Sequence, residues 1–465
     1  MSAVELSKEE VPRFFGTDGI RGRAGEGMLA PAAVARVFAA TARVLEAPDR
    51  FGEDFPSVVG RRVLVGRDTR ESGRWLLEVI TGSLSEHGYE VLDTGVLPTP
   101  GVSFLCRTWD SVALGVVISA SHNPAADNGV KFFAPSGAKI SPDFERAVEA
   151  EYAHGHSPSG AEPMRRVPTD RSVAAREAYV ESLVQAVWKP ERLHGRKIVL
   201  DTANGATFQV APEVFRRLGM AVEVIGDQPD GTNINDGVGA LHPGRLAELA
   251  QNLGAGVGVA FDGDGDRVIP VTAAGTVLDG DHVLALVGKY LQEVGKIPNK
   301  KVVATSMSNI GLEVSLAERG LELVRTDVGD RNVYLEMIAG LHPVGGEQSG
   351  HTIFLDDALT GDGLLTALRL LDVLDSDELD LESERHVMKR YPQILKNVPV
   401  SEKRPFEEIS GVLDEVAAVE RELAGRGRVV LRYSGTELLA RVMVEGPDTE
   451  SAESYTNRIC AAILR

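Results

Sequence analysis

Three stretches of this chain repeat one order of events, and the repetition restricts the fold more than any other feature. RRVLVGRDTR (61–70), RKIVLDTANG (196–205) and KKVVATSMSN (300–309) each join a basic pair to an apolar run and a polar loop. A helical pattern closed by glycine follows, then a second strand: YEVLDTG, MAVEVIG and LELVRTD. Continuous apolar strands alternating with helices predict parallel sheets covered on both faces. Their spacing of roughly 100–135 residues indicates domains of one design rather than a short-period solenoid. A chain of 465 residues also exceeds what one hydrophobic core supports. Beyond the acidic stretch DSDELDLESER (375–385) the rhythm changes. VVLRYSGTELLARVMVEG (429–446) and the segment after it read as a hairpin and a closing helix, hence a fourth domain of α+β type. The expected limits are 1–168, 169–272, 273–387 and 388–465. HGHSPSGAEPMRRVPTD (154–170) reads as the first linker.

Ligands of parallel α/β sheets bind at the carboxyl ends of the strands, so the polar loops there carry the chemistry. FDGDGDR (261–267) follows the apolar run VGVA. Asp262, Asp264 and Asp266 alternate with glycines, so an extended loop lets three carboxylates face one point. Three such charges need a cation, and oxygen-only ligands favour Mg2+ or Ca2+. An EF-hand is excluded, because its sixth and twelfth positions hold Arg267 and Ala273. Arg267 suits a phosphate oxygen sharing the metal.

The other loops are individually weaker. FFGTDGIRG (14–22) places Thr17, Asp18 and Arg21 around glycines, as an anion loop or an ordinary turn would. In GRDTR (66–70), Arg67 and Arg70 suit either phosphate or nearby acids. GGEQSGH (345–351) lacks a nucleophile elbow and suits hydrogen bonding to a polyol. RYSGTE (432–437) combines Arg432, two hydroxyls and a glycine backbone that can form an anion nest, with Arg441 beyond. No dinucleotide fingerprint or P-loop is complete.

FGTDGIRG, ISASHNP, FDGDGDR, GGEQSGH and RYSGTE, in that order, resemble the α-D-phosphohexomutase superfamily. With ASHNP-x3-NG-x-KFF, VGDR (328–331), TGDG (360–363) and Gln348 they look most like its phosphoglucosamine branch. Leu438 departs from the proline usual after SGTE. The resemblance implies four domains in a heart-shaped arrangement, three similar α/β domains with mixed, mostly parallel sheets plus a C-terminal α+β domain. It also implies a phosphate shift through a phosphoserine, converting glucosamine 6-phosphate to glucosamine 1-phosphate by way of a bisphosphate. That reaction feeds UDP-N-acetylglucosamine and cell-wall precursors.

By matching motif the phosphoserine is Ser121. One Mg2+ would be held by Asp262, Asp264, Asp266 and a phosphate oxygen on Ser121. The active form would be primed by a hexose bisphosphate or by phosphorylation. Lys131 and His351 are the proton-transfer candidates, His122 steadies the phosphoserine, and Arg267 stabilises transferring charge. Glu347 and Ser349 match sugar contacts. Arg432, Ser434, Gly435, Thr436 and Arg441 match the grip on the distal phosphate, with Thr17 and Arg21 as further phosphate-loop candidates. The competing expectations are a phosphomannomutase or phosphoglucomutase, a phosphosugar binder without catalysis, and a metal-dependent phosphatase.

Composition decides what else the chain meets. A net charge of −19 argues against nucleic acid or an anionic membrane as partner. Any phosphate site must therefore concentrate its arginines. No secretory signal or run of 18 apolar residues is visible. Cys106 and Cys460 lie in apolar contexts, as buried reduced thiols of a cytoplasmic protein would. The resemblance allows a homodimer.

Overall fold

The computed structural model describes residues 13–16, 18–47, 51, 55, 60–155, 167–374, 380–434 and 438–464. Most of the expected first linker and residues 375–379 of the acidic stretch lie outside them, as do Thr17, Gly435 and Thr436.

In the first domain, strands β1 (Ile20–Arg23), β2 (Arg62–Arg67), β3 (Glu90–Val96), β4 (Val112–Ile118), β5 (Asp127–Phe133) and β6 (Thr169–Asp170) form one sheet in the order β1-β5-β4-β2-β3-β6. The second sheet contains β7 (Lys197–Asp201), β8 (Ala221–Ile225), β9 (Val257–Phe261) and β10 (Val268–Thr272), ordered β10-β9-β7-β8. The third contains β11 (Lys301–Thr305), β12 (Glu322–Thr326), β13 (Val344–Gly346) and β14 (Thr352–Phe354), ordered β12-β11-β13-β14. Each sheet thus shares one four-strand pattern. A parallel trio is joined at one side by an antiparallel strand: β5, β10 or β14. The three repeated sequence units supply the first parallel pair each time, β2–β3, β7–β8 and β11–β12. The first sheet also reaches past residue 168, since β6 extends it beside β3.

This shared pattern places the chemistry. The loops carrying Ser121, the Asp trio and GGEQSGH are three versions of one turn, from the last parallel strand into the antiparallel one. The strands leading into the first two turns are buried at every residue, as their Val/Ile/Ala runs require. Helix starts bear polar side-chain caps. Asp279, Asn309 and Asp362 each accept a backbone N–H at the head of helices Gly280–Glu293, Ile310–Ala317 and Gly363–Val373.

One hydrophobic core runs through all three α/β domains, linking Leu64, Ile198 and Val302. The fourth domain differs in kind. Strands β15 (Gln393–Pro399), β16 (Arg428–Tyr433) and β17 (Leu439–Glu445) form an antiparallel sheet ordered β15-β17-β16. Helices Val412–Leu423 and Thr449–Ile463 cover it around a separate core of Val398, Val412, Val442 and Ile459. It meets the third domain through polar joints. Arg428 donates to Glu445 at 2.5 Å and to the Ser306 and Ser308 carbonyls, while Glu445 accepts the Ile310 N–H at 3.0 Å.

Candidate active site

The loop after β4 and the loop after β9 meet face to face. Ser121 Oγ donates to Asp262 Oδ2 at 2.6 Å, and both residues are buried. Asp262, Asp264 and Asp266 each offer an oxygen within 4.8 Å of the others. Glycine permits this approach. A Cβ on Gly263 would stand 2.4 Å from the Ser121 carbonyl oxygen, and one on Gly205 would stand 2.4 Å from the Gly263 carbonyl oxygen. The Oδ1 atoms of Asp264 and Asp266 are buried without a hydrogen-bond partner. A closed, all-oxygen, partly unsatisfied donor set fits a hard divalent cation. Burial and the charges of Asp266 and Asp264 push the Asp262 carboxyl well above its ordinary range. The trio without a cation is thus electrostatically costly, as the sequence pattern suggested.

Lys131, projecting from β5, reaches the trio from the side. Its Nζ lies 2.7 Å from Asp264, 3.2 Å from Asp266 and 3.0 Å from Asp18. Burial alone would depress this ammonium, yet the three carboxylates hold it well above the ordinary lysine range. Lys131 is therefore a proton-loaded cation at the site. The His122 imidazole is the opposite case. Burial, Arg267 and Arg21 lower it to about 4, so it is neutral at pH 7. Its Nδ1 lies 3.2 Å from Ser121 Oγ and 3.3 Å from Arg267 Nη1. A guanidinium only donates, so that Nδ1 is an acceptor.

Asp266 and Arg267 border a cleft of about 460 Å³ that is also lined by Asp18, Arg21, Glu347 and His351, with Gly329 and Asp330. Of the expected sugar contacts, Glu347 faces this cleft and accepts the Gly329 N–H at 3.2 Å. Ser349 is exposed at its loop. Gln348 turns away from the cleft, its amide donating to Asp281 at 3.1 Å. Arg21 pairs with Asp18.

Three groups here belong to no expected role. Lys139 joins Asp18 at 2.5 Å to Asp330, and Asp330 stands 3.4 Å from His351 Nε2. That charge chain ties the first domain to the third along the cleft wall. The sequence held one half-signal for it: Asp18 and Asp330 sit in the motifs FGTDGIRG and VGDR. Lys139 sits in none.

In the fourth domain, Arg432 and Arg441 face each other across the β16–β17 register. Like charges directly opposite are unfavourable unless an anion joins them. Burial and Arg441 lower the Arg432 pKa, while nearby Asp327 opposes the shift. Arg441 Nη2 also lies 3.4 Å from Ser434 Oγ. GRDTR resolves the other way, because Arg67 pairs with Asp93 at 2.7 Å and Arg70 with Asp68 at 2.8 Å. Local acids, not phosphate, occupy both.

Comparison with known proteins agrees with this architecture domain by domain. Models of phosphoglucomutase/phosphomannomutase α/β/α domains I, II and III match residues 12–158, 177–275 and 279–391, and the C-terminal domain model matches 395–462. A Paenarthrobacter aurescens phosphoglucosamine mutase is 44% identical over 458 residues, covering 97% of either chain. One from Bdellovibrio bacteriovorus is 41% identical, covering 97% of this chain and 98% of its own. A Burkholderia thailandensis phosphoglucomutase/phosphomannomutase family protein superposes with a TM-score of 0.76 at 23% identity, covering 97% of this chain and 96% of its own. Aspergillus fumigatus N-acetylphosphoglucosamine mutase, crystallised with GlcNAc-6P and magnesium, gives 0.66 at 17%, with coverages of 97% and 95%.

Proposed function

The chain belongs to the phosphoglucomutase/phosphomannomutase family, and on that premise we propose that it interconverts glucosamine 6-phosphate and glucosamine 1-phosphate. The observation that carries the chemistry is Ser121 Oγ at 2.6 Å from a buried carboxylate of the Asp trio. A plain binder has no use for a hydroxyl held there.

In this reading Ser121 bears the phosphoryl group. The P–O bond to Ser121 breaks as the free sugar hydroxyl attacks phosphorus, and the hydroxyl proton leaves to a base at the cleft. The resulting bisphosphate turns over, and its other phosphoryl group returns to Ser121 Oγ. Mg2+, held by Asp262, Asp264, Asp266 and a phosphate oxygen on Ser121, would supply positive charge at the transferring oxygens. Arg267 faces the same oxygens, and catalysis of this type depends on positioning and spread charge. Lys131, kept protonated by its carboxylates, suits the return of a proton to the sugar oxygen or to Ser121. His351 pairs with Arg267 through the backbone and has Asp330 beside it. Glu347 meets sugar hydroxyls, and Ser349 joins it from the loop rim. Arg432, Ser434 and Arg441 grip the phosphate that is not reacting, with Gly435 and Thr436 of the same motif. Arg21 borders the reacting one, with Thr17 of the same motif.

We assign the domains to 1–170, 171–272, 273–387 and 388–465, the first limit carried past the expected 168 by β6, place the enzyme in the cytoplasm and take it as a homodimer, which sedimentation tests. Among the described residues no helix is long and apolar enough to cross a membrane.

A coupled assay with glucosamine, mannose and glucose 6-phosphates tests the substrate. Glucosamine 6-phosphate is expected to turn over fastest. Faster mannose or glucose turnover moves the substrate assignment within the family. Release of free phosphate without isomer makes the protein a phosphatase. Intact mass should show one added phosphate on a fraction of the protein, absent from Ser121→Ala.

A further inference from the structure

Ser121 has a backbone φ of 53°. A residue with a side chain occupies this left-handed region only where its surroundings impose it. The surroundings here centre on Arg70, a guanidinium only 2% exposed. Its Nε donates to Asp68 Oδ2 at 2.8 Å. Its Nη2 donates to the carbonyls of Ser121 at 3.0 Å and Asn123 at 2.8 Å. Its Nη1 donates to the carbonyl of Asp127 at 3.1 Å and to that of Pro124. The other side of the turn closes through the same pair: Ser119 Oγ donates to Asp68 at 2.6 Å and accepts the Ser121 N–H at 2.9 Å. Both backbone polar groups of Ser121 are thereby tied to one buried ion pair. From the second domain, Asn235 Nδ2 adds bonds to the same Ser121 and Asn123 carbonyls at 2.9 and 3.2 Å.

We propose that Arg70, backed by Asn235, is a positioning residue for phosphoryl transfer: it holds the left-handed turn that aims Ser121 Oγ at the Asp trio. It acts through the backbone and does not face the cleft. The inference rests on Ser121 being the phosphoryl carrier. Planarity matters more than charge here, since one guanidinium serves four carbonyls and a carboxylate at fixed angles. A lysine at 70 keeps the charge and loses the fork.

The test compares wild type with Arg70→Lys and Asn235→Gly. Glycine tolerates the φ of 60° at position 235, so only the side chain is removed. Steady-state kinetics are read together with the rate at which glucose 1,6-bisphosphate loads phosphate onto the protein, followed by intact mass. Thermal melts give the folded fraction. Expected are falls in both kcat and loading rate of about 100-fold for Arg70→Lys and about 10-fold for Asn235→Gly, with KM within about twofold. If Arg70→Lys does not fold, Asn235→Gly carries the test alone. Wild-type kcat and loading in Asn235→Gly, a loss appearing only in KM, or one merely matching the unfolded fraction overturns the proposal while leaving the mutase reading intact. A wild type that takes up no phosphate overturns both.

Discussion

In the proposed mechanism the loops around Ser121 and the arginine pair of the fourth domain both serve phosphate, yet the chain holds them in opposite ways. Ser121, Asp262, Asp264, Asp266 and Lys131 are buried, cross-bonded between domains and set on a core continuous through three sheets. Arg432 and Arg441 are half-buried, on a domain with its own core and polar joints to its neighbour. The difference divides labour. Charge that develops in a transition state is met best by groups that need not reorganise. A phosphate that must be released and re-gripped as the intermediate turns is met best by solvent-accessible cations on a unit able to shift as a body.

The contrast yields graded expectations. Ser121→Ala should remove turnover by at least about 10⁴-fold while the melting temperature stays near wild type. Retained turnover would take the carrier out of the buried cluster. Asp264→Asn should cost on the order of 10²–10³ in kcat, because Asp264 accepts both Lys131 at 2.7 Å and Thr99 at 2.6 Å and would supply a ligand to the proposed cation. Titration calorimetry with Mg2+ alone should show weaker binding. Arg432→Ala should raise KM about 10- to 100-fold and leave kcat within a few-fold. A collapse of kcat at constant KM would erase the contrast, since the distal grip would then act in the chemical step.

The smallest effect concerns Asp362, buried behind the cleft with Tyr179 Oη donating to it at 2.8 Å. Burial lifts its carboxyl to about 6 against the bonds from Leu365 and Tyr179. The unfolded chain gives up this proton near pH 4 and the folded chain only near 6. Its stabilising contribution is therefore complete below about pH 4 and lost as pH rises to about 6. Asp362→Asn should flatten that part of the stability–pH curve by roughly 2 kcal/mol, read from denaturant melts between pH 4 and 7. An unchanged curve would show the carboxyl ionised in the folded protein.

The three-domain repeat, the hairpin domain and the loops that meet at the candidate site were legible in the sequence. Each rests on neighbours in the chain: a β-branched run, a glycine stop, alternating Asp and Gly. The Lys139 bridge between Asp18 and Asp330 was not, since its members lie in two domains and no local pattern marks the lysine. Arg70 was visible only as an ambiguity. Its neighbour Asp68 could be read from the sequence, but the carbonyls it serves, more than fifty residues on, could not. Gln348 helped identify the branch, yet its amide meets Asp281, so a residue can mark a lineage without facing the ligand.

The close fit of Gly263 against the Ser121 carbonyl, and of Gly205 against Gly263, also bears on how such chains can be recombined. A chimera that trades the first domain for a homologue's imports one half of a backbone-to-backbone joint with no side chains to absorb a mismatch. The first two domains are therefore heritable only as a matched set.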